Sequence, residues 1–97
     1  MSVSFTPEAA EELAAYLDRI DGDNPQAALQ EEERLWQALK LLQEFPSLGR
    51  EQRIRGVRGE VRCFPIPPLL LFYVLVDGGL EVLHVWHGAR SPLHQPR

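Results

Sequence analysis

The side chains able to do chemistry fall into two groups. Arg50, Arg53, Arg55, Arg58 and Arg62 make up half of the ten basic residues and lie close together, offset there only by Glu51 and Glu60. Arginine presents a planar fork of donors that grips phosphate or carboxylate at two points, so this run reads as an anion-binding surface. The plainer reading is a solvated flank that balances acidic neighbours. The second group closes the chain: His84, Trp86, His87 and Arg90, with His94 beyond them. On a strand, His84 and His87 point to opposite faces and cannot chelate one ion, so neither a metal nor a cofactor is expected. Cys63 is the sole cysteine; it excludes an internal disulfide, and its alternation with valines reads as a small core residue. Gly-rich phosphate loops, nucleophile elbows and spaced carboxylate pairs are absent. An arginine cluster with a histidine could hold an anionic partner. It could also stabilise a pentavalent phosphate while histidine moves a proton, as metal-free RNA cleavage requires. Arg58, Arg62, His87 and Arg90 are the candidates for that cleavage. Arg50, Arg53, Arg55, Trp86, His87 and Arg90 are the candidates for partner binding.

Those residues need a scaffold, and the spacing of the rest supplies one. Val3 and Phe5 alternate with Ser2 and Ser4 as in a short strand. Thr6-Pro7 then starts a helix expected over 7–20, with Ala9, Leu13, Leu17 and Ile20 on one stripe and Gly22 as a left-handed cap. Asn24-Pro25 starts a second helix over 25–45. Its apolar lines are Ala28, Leu35, Leu39 and Leu42, and beside them Ala38, Leu41 and Phe45. A three-residue connection folds the two helices into an antiparallel hairpin. Residues 57–64 read as a strand with Val57, Val61 and Cys63 on one face and Arg58, Glu60, Arg62 and Phe64 on the other. Pro65, Pro67 and Pro68 demand a bend or an edge. Eight apolar residues, Leu69–Val76, a turn at Asp77-Gly78-Gly79 and a second apolar run form a β-hairpin. A Gly78-Gly79 turn would set Tyr73 opposite His84, Leu71 opposite Trp86 and Leu70 opposite His87, whereas an Asp77-Gly78 turn would shift every pair. The face with Leu70, Phe72, Val74, Val76, Leu83 and Val85 is expected under the helices, because Tyr73, His84 and Trp86 on the other can keep one end wet.

A single domain over 1–97, with an irregular tail over 91–97, is all that this length accommodates. Apolar residues at 44 % and charged residues at 25 % exclude a disordered chain. The longest apolar run is far too short to cross a bilayer, and the N-terminus lacks the pattern of a secretory signal. With one cysteine, cytoplasmic residence without a membrane partner is the expectation. Net charge is −4 but unevenly spread: residues 1–49 carry ten acids and three bases, residues 50–97 seven bases and four acids. The acidic helix surface is expected to serve solubility.

Several elements together are similar to a known family. They are the N-terminal strand, the acidic helical hairpin with Asn24-Pro25, Phe45-Pro46-Ser47-Leu48-Gly49-Arg50, Gly56-Val57-Arg58, Pro67-Pro68 with Phe72-Tyr73, and the ending Val82-Leu83-His84-Val85-Trp86-His87-Gly88-Ala89-Arg90. This set resembles the RelE/ParE toxin superfamily of type II toxin–antitoxin (plasmid stabilisation) systems, over nearly the whole chain. The resemblance implies an α+β fold, a two-helix antiparallel hairpin packed on a small, mainly antiparallel sheet of about four strands in the order β-α-α-β-β-β. It also implies a cognate antitoxin as partner and assembly as a homodimer or a heterotetramer with that antitoxin. RelE-like members cleave mRNA on the ribosome; ParE-like members inhibit DNA gyrase by protein–protein contact. Arg90 matches the arginine of the family ending. The position that often carries arginine in the RNases is Leu70 here, the lysine-rich segment before it is absent, and the tail holds no tyrosine. These departures direct the expectation to the ParE-like branch, with a ribosome-dependent endonuclease as the alternative. The acidity of the chain adds a third reading, an antitoxin-binding module without toxicity.

Overall fold

Local chemistry sets the elements of the computed structural model, which describes residues 2–57 and 59–88. Strand β1 is Ser2–Phe5. Thr6, in an extended conformation, accepts a hydrogen bond from Ala9 N, and Pro7 opens helix α1, Pro7–Asp23. The Thr6 hydroxyl also donates to Leu83 O at 2.8 Å, tying the helix start to the last strand. Helix α1 runs three residues beyond the expected end, and Gly22 lies inside it instead of forming a left-handed cap. The reason is Asn24, which performs both jobs from one extended residue. Its N–H donates to Ile20 O, closing α1, and its side chain accepts from Ala27 N, opening helix α2, Pro25–Glu44.

A short 3-10 helix, Pro46–Leu48, leads into β2, Arg50–Gln52; β3, Val61–Ile66; β4, Leu69–Val76; and β5, Gly79–His87. The sheet has five strands in the order β1-β5-β4-β3-β2, all antiparallel neighbours except the parallel pair β1 and β5. The fifth strand beyond the four expected is β2, whose three polar residues carry no apolar alternation to announce it. The strand expected over 57–64 begins only at Val61, because the described residues between Gln52 and Val61 form a loop that uses positive φ angles at Gly56 and Gly59. It then continues through Pro65 to Ile66. Strand β2 pairs only with positions 61–63, so Pro65 sits where the outer side of β3 is already an edge and a missing N–H is tolerated.

The β4–β5 register corrects the expected one. Val76 pairs with Gly79 across an Asp77-Gly78 turn in which Gly78 has φ +77°. A bulge then intervenes: Tyr73 faces Val82 but Phe72 faces His84, leaving Leu83 as the extra residue. From there Leu71 faces Val85, Leu70 faces Trp86 and Leu69 faces His87.

The faces are reversed relative to expectation along β4 and at Val82 and Leu83, while past the bulge Val85 lies toward the helices and His84 and Trp86 away from them as expected. Leu69, Leu71, Tyr73, Leu80, Val82 and Val85 pack with Ala9, Leu35, Leu39 and Leu42 of the helices. Phe72, Val61 and Cys63 lie on the far face with Leu70, Val74, Leu83 and Trp86, under Ile54 and Val57 from the β2–β3 loop. Tyr73 is buried completely, and backbone groups replace the water expected at its hydroxyl. In α2 the line Ala28, Leu35, Leu39 and Leu42 is buried as expected, while Leu41 and Phe45 are exposed.

Candidate functional site

The first cluster with site-like geometry lies on the outer edge of β5, beyond the end of β1. Strand β1 pairs with β5 only at positions 79–82, and past that point helix α1 lies alongside. There the Glu12 carboxylate accepts hydrogen bonds from Val85 N at 2.9 Å and from Trp86 Nε1 at 2.8 Å. His84 Nδ1 lies 3.2 and 3.3 Å from its two oxygens. One carboxylate thus satisfies a backbone donor of an unpaired edge and two ring nitrogens. The Trp86 ring stacks obliquely on Phe72 at 4.8 Å and on His84 at 4.5 Å. Glu12 is not among the candidates read from the sequence. The available signal was its spacing, three residues from Ala9 and four from Tyr16, which sets an acid at the apolar stripe.

Beside this cluster, Glu12, Tyr16, Arg19, Leu69, Trp86 and His87 line a shallow cleft of about 200 Å³. His87, opposite Leu69, is on the helix face, whereas Trp86, opposite Leu70, is on the far face. Across the cleft Tyr16 donates to Glu31 Oε1 at 2.9 Å, and Glu31 pairs with Arg34 at 2.8 Å. Arg34 in turn reaches Pro67 O in the β3–β4 turn at 2.9 Å. Burial first, then the Glu31 bond and charge, push the Tyr16 phenol up to about 12.

Arg62 is engaged by the fold itself. Its guanidinium donates to Gly49 O at 2.7 Å, Ser47 O at 3.2 Å and the Glu60 carboxylate at 2.6 Å, while its buried Nε has no partner among the described residues. The Tyr73 hydroxyl completes the same lock, donating to Pro46 O at 2.6 Å and accepting from Gly49 N at 2.9 Å. A Cβ at Gly49 would stand 2.5 Å from that hydroxyl. This accounts for the Phe-Pro-x-Leu-Gly-Arg stretch: proline opens the 3-10 helix and glycine admits Tyr73. Arg62 does not meet His87. Arg62 shares a row with Tyr73 and Val82, and His87 shares one with Leu69 and Ile66. Four residues separate those rows along β3, about 13 Å at 3.3 Å per residue, before two strand spacings are added. Arg58 and Arg90, the other two cleavage candidates, lie outside the described residues, as do His94 and the tail over 91–97.

Arg50, Arg53 and Arg55 form a second surface on β2 and the loop after it. All three are exposed, and none makes an ion pair or hydrogen bond with a described residue. Arg50 lies opposite Cys63. Burial pushes the Cys63 thiol up despite the opposing charge of Arg50, which fits a core cysteine and not a nucleophile. A recess of about 920 Å³ follows the loop, lined by Gln52, Arg53, Ile54, Arg55, Val57 and their neighbours. The described residues hold no cluster of three or more metal-ligating side chains.

The chain matches the family model for the ParE toxin of the type II toxin–antitoxin system parDE over residues 3–92. Its fold is similar to a solved structure of the chromosomal ParDE TA system from P. aeruginosa. That similarity has a TM-score of 0.71 and 22% identity, covering 90% of this chain and 95% of the other. No curated relative matches by sequence.

Proposed function

Since the chain belongs to the ParE toxin family of type II toxin–antitoxin systems, we propose that it inhibits DNA gyrase by protein–protein contact in the cytoplasm and is neutralised by a cognate antitoxin. The observation that carries this reading is the family match over 3–92, nearly the whole of the chain. The geometry supports contact over chemistry at the residues described. Arg62 spends its donors on Ser47, Gly49 and Glu60, far from His87, so the two do not converge on one phosphate. Arg50, Arg53 and Arg55, by contrast, stand exposed for a partner. No helix among the described residues is long and apolar enough to cross a membrane.

The test is induction of the chain with and without its cognate antitoxin. Growth arrest with loss of gyrase supercoiling, relieved by the antitoxin, is the expected result. Cleaved transcripts with normal supercoiling would replace this reading by mRNA cleavage, and unimpaired growth would replace it by a non-toxic binding module.

A further inference from the structure

Helix α2 carries a second apolar line, which the described residues leave open to water. Its inner line, Ala28, Leu35, Leu39 and Leu42, is buried in the core. Leu29 and Trp36 are seven residues apart, so two turns bring them back to within about 20° of each other around the helix axis. They are 67% and 46% exposed. A tryptophan held this far into water is uncommon, because its large ring gains more from burial than most side chains. Helix α1 covers a different side of α2. It engages α2 through the bond from Tyr16 to Glu31, and Glu31 is turned about 140° from Trp36. The charges beside Trp36 have a direction. Glu32 lies one turn before it, with Glu33 adjacent, and Lys40 lies one turn after it; all three are exposed. Glu32 and Lys40 make no ion pair or hydrogen bond with a described residue, and Glu33 only accepts from the Gln37 amide at 3.3 Å.

We propose that this face of α2 pairs with the same face of a second copy of this chain, the two helices running antiparallel about a two-fold axis at Trp36. Residues equally far before and after Trp36 then face one another. Trp36 meets Trp36, and Lys40 of each copy meets Glu32 and Glu33 of the other. A parallel pairing would set Lys40 against Lys40 and acids against acids, so the charges select the antiparallel one. They also select the occupant. A uniformly acidic partner is repelled by Glu32 and Glu33, and a uniformly basic one by Lys40, whereas the same helix reversed presents both signs in the matching order. Because the contact is between identical patches, it closes at two copies and does not propagate into a chain. Two crossing helices bury less than the roughly 1,200–2,000 Å² of a stable complex, so the dimer is weak and reversible. The gyrase reading is not a premise of this pairing.

Sedimentation equilibrium of the full chain, from about 1 µM to about 1 mM, tests the pairing. A reversible monomer–dimer equilibrium is the expected result, and a chain that stays monomeric throughout overturns the proposal. Trp36→Ala should weaken the dimer about tenfold or more. The joint variant Glu32→Lys, Glu33→Lys cancels the net charge of −4. If only overall repulsion mattered, it would associate more tightly. The pairing instead sets these lysines against Lys40, so the dimer should weaken about threefold or more, and adding Lys40→Glu should restore it. These three positions are exposed, so the charge series decides the matter even if Trp36→Ala fails to fold. A dimer indifferent to Trp36→Ala, or one that the joint variant tightens, or one that Lys40→Glu does not restore, lies on another face and overturns the proposal.

Discussion

Tyr73 Oη is the atom on which the 3-10 helix depends. It is fully buried, bonded to Pro46 O and Gly49 N, and its phenol is pushed up by burial against the opposing pull of the Gly49 amide. Tyr73→Phe leaves the Gly49 N–H buried without an acceptor, and such a group costs about 1–3 kcal/mol. A loss of that size in urea unfolding, with little change in the denaturant slope, is the expected outcome. Tyr16 makes a prediction of a different kind. Its folded pKa of about 12 lies above its ordinary value of 10.0. The unfolded chain therefore releases this proton first as pH rises, so the stability contributed by Tyr16 is complete below pH 10.0 and is lost as pH climbs toward about 12. Tyr73 titrates in the same direction, so the informative quantity is a difference. Stability of Tyr16→Phe should fall less steeply than that of the parent chain across this window, and equal slopes would show that neither burial nor Glu31 holds the proton on the phenol.

Among elements, the last strand is held by a carboxylate from the first helix. Glu12 takes the place of a neighbouring strand at Val85 and also gathers Trp86 and His84. Glu12→Ala removes the acceptor of all three, and about 1–3 kcal/mol of stability should go with it. Glu12→Gln keeps one amide oxygen and should retain part of that stability, since a carbonyl still accepts from Val85 N or Trp86 Nε1. Urea unfolding of the two variants reads the difference, and equal stability in both would mean that the carboxylate only fills space. The same strand shows where sequence reading stops. Strand β4 is apolar or aromatic at every position, so its alternation carries no mark of which face is inward. The single-residue bulge at Leu83 then changes the parity of β5 midway, so that Val82 and Val85 share the helix face although they are three apart.

On the scale of the whole molecule, charge is segregated as its distribution along the chain implies. The helices carry most of the acids, and the exposed arginines Arg50, Arg53 and Arg55 gather on β2 and the loop after it. That polarity suits an acidic partner arriving at one edge, with association that slows as salt rises. The family identity was legible because its marks are short, contiguous and local: Phe45 to Arg50, and Val82 to Arg90. The site was less so, since the five arginines that look alike in the sequence part company in space. Arg62 is consumed by carbonyls of its own chain, Arg50, Arg53 and Arg55 have no side-chain partner among the described residues, and Arg58 lies outside them.

The sequence alone determined the helical hairpin, its two start signals at Thr6-Pro7 and Asn24-Pro25, the buried line of α2, and the existence of the β4–β5 hairpin. Capping and periodicity are interactions among residues a few positions apart, so the local string contains them. Only the tertiary structure decided the register, the face turned to the helices, the edge strand β2 and the role of Glu12. Each of these depends on groups more than ten residues apart, such as Tyr73 with Gly49, Arg50 with Cys63 and Glu12 with Val85. No spacing within a single segment encodes which of two equally apolar faces will find those partners.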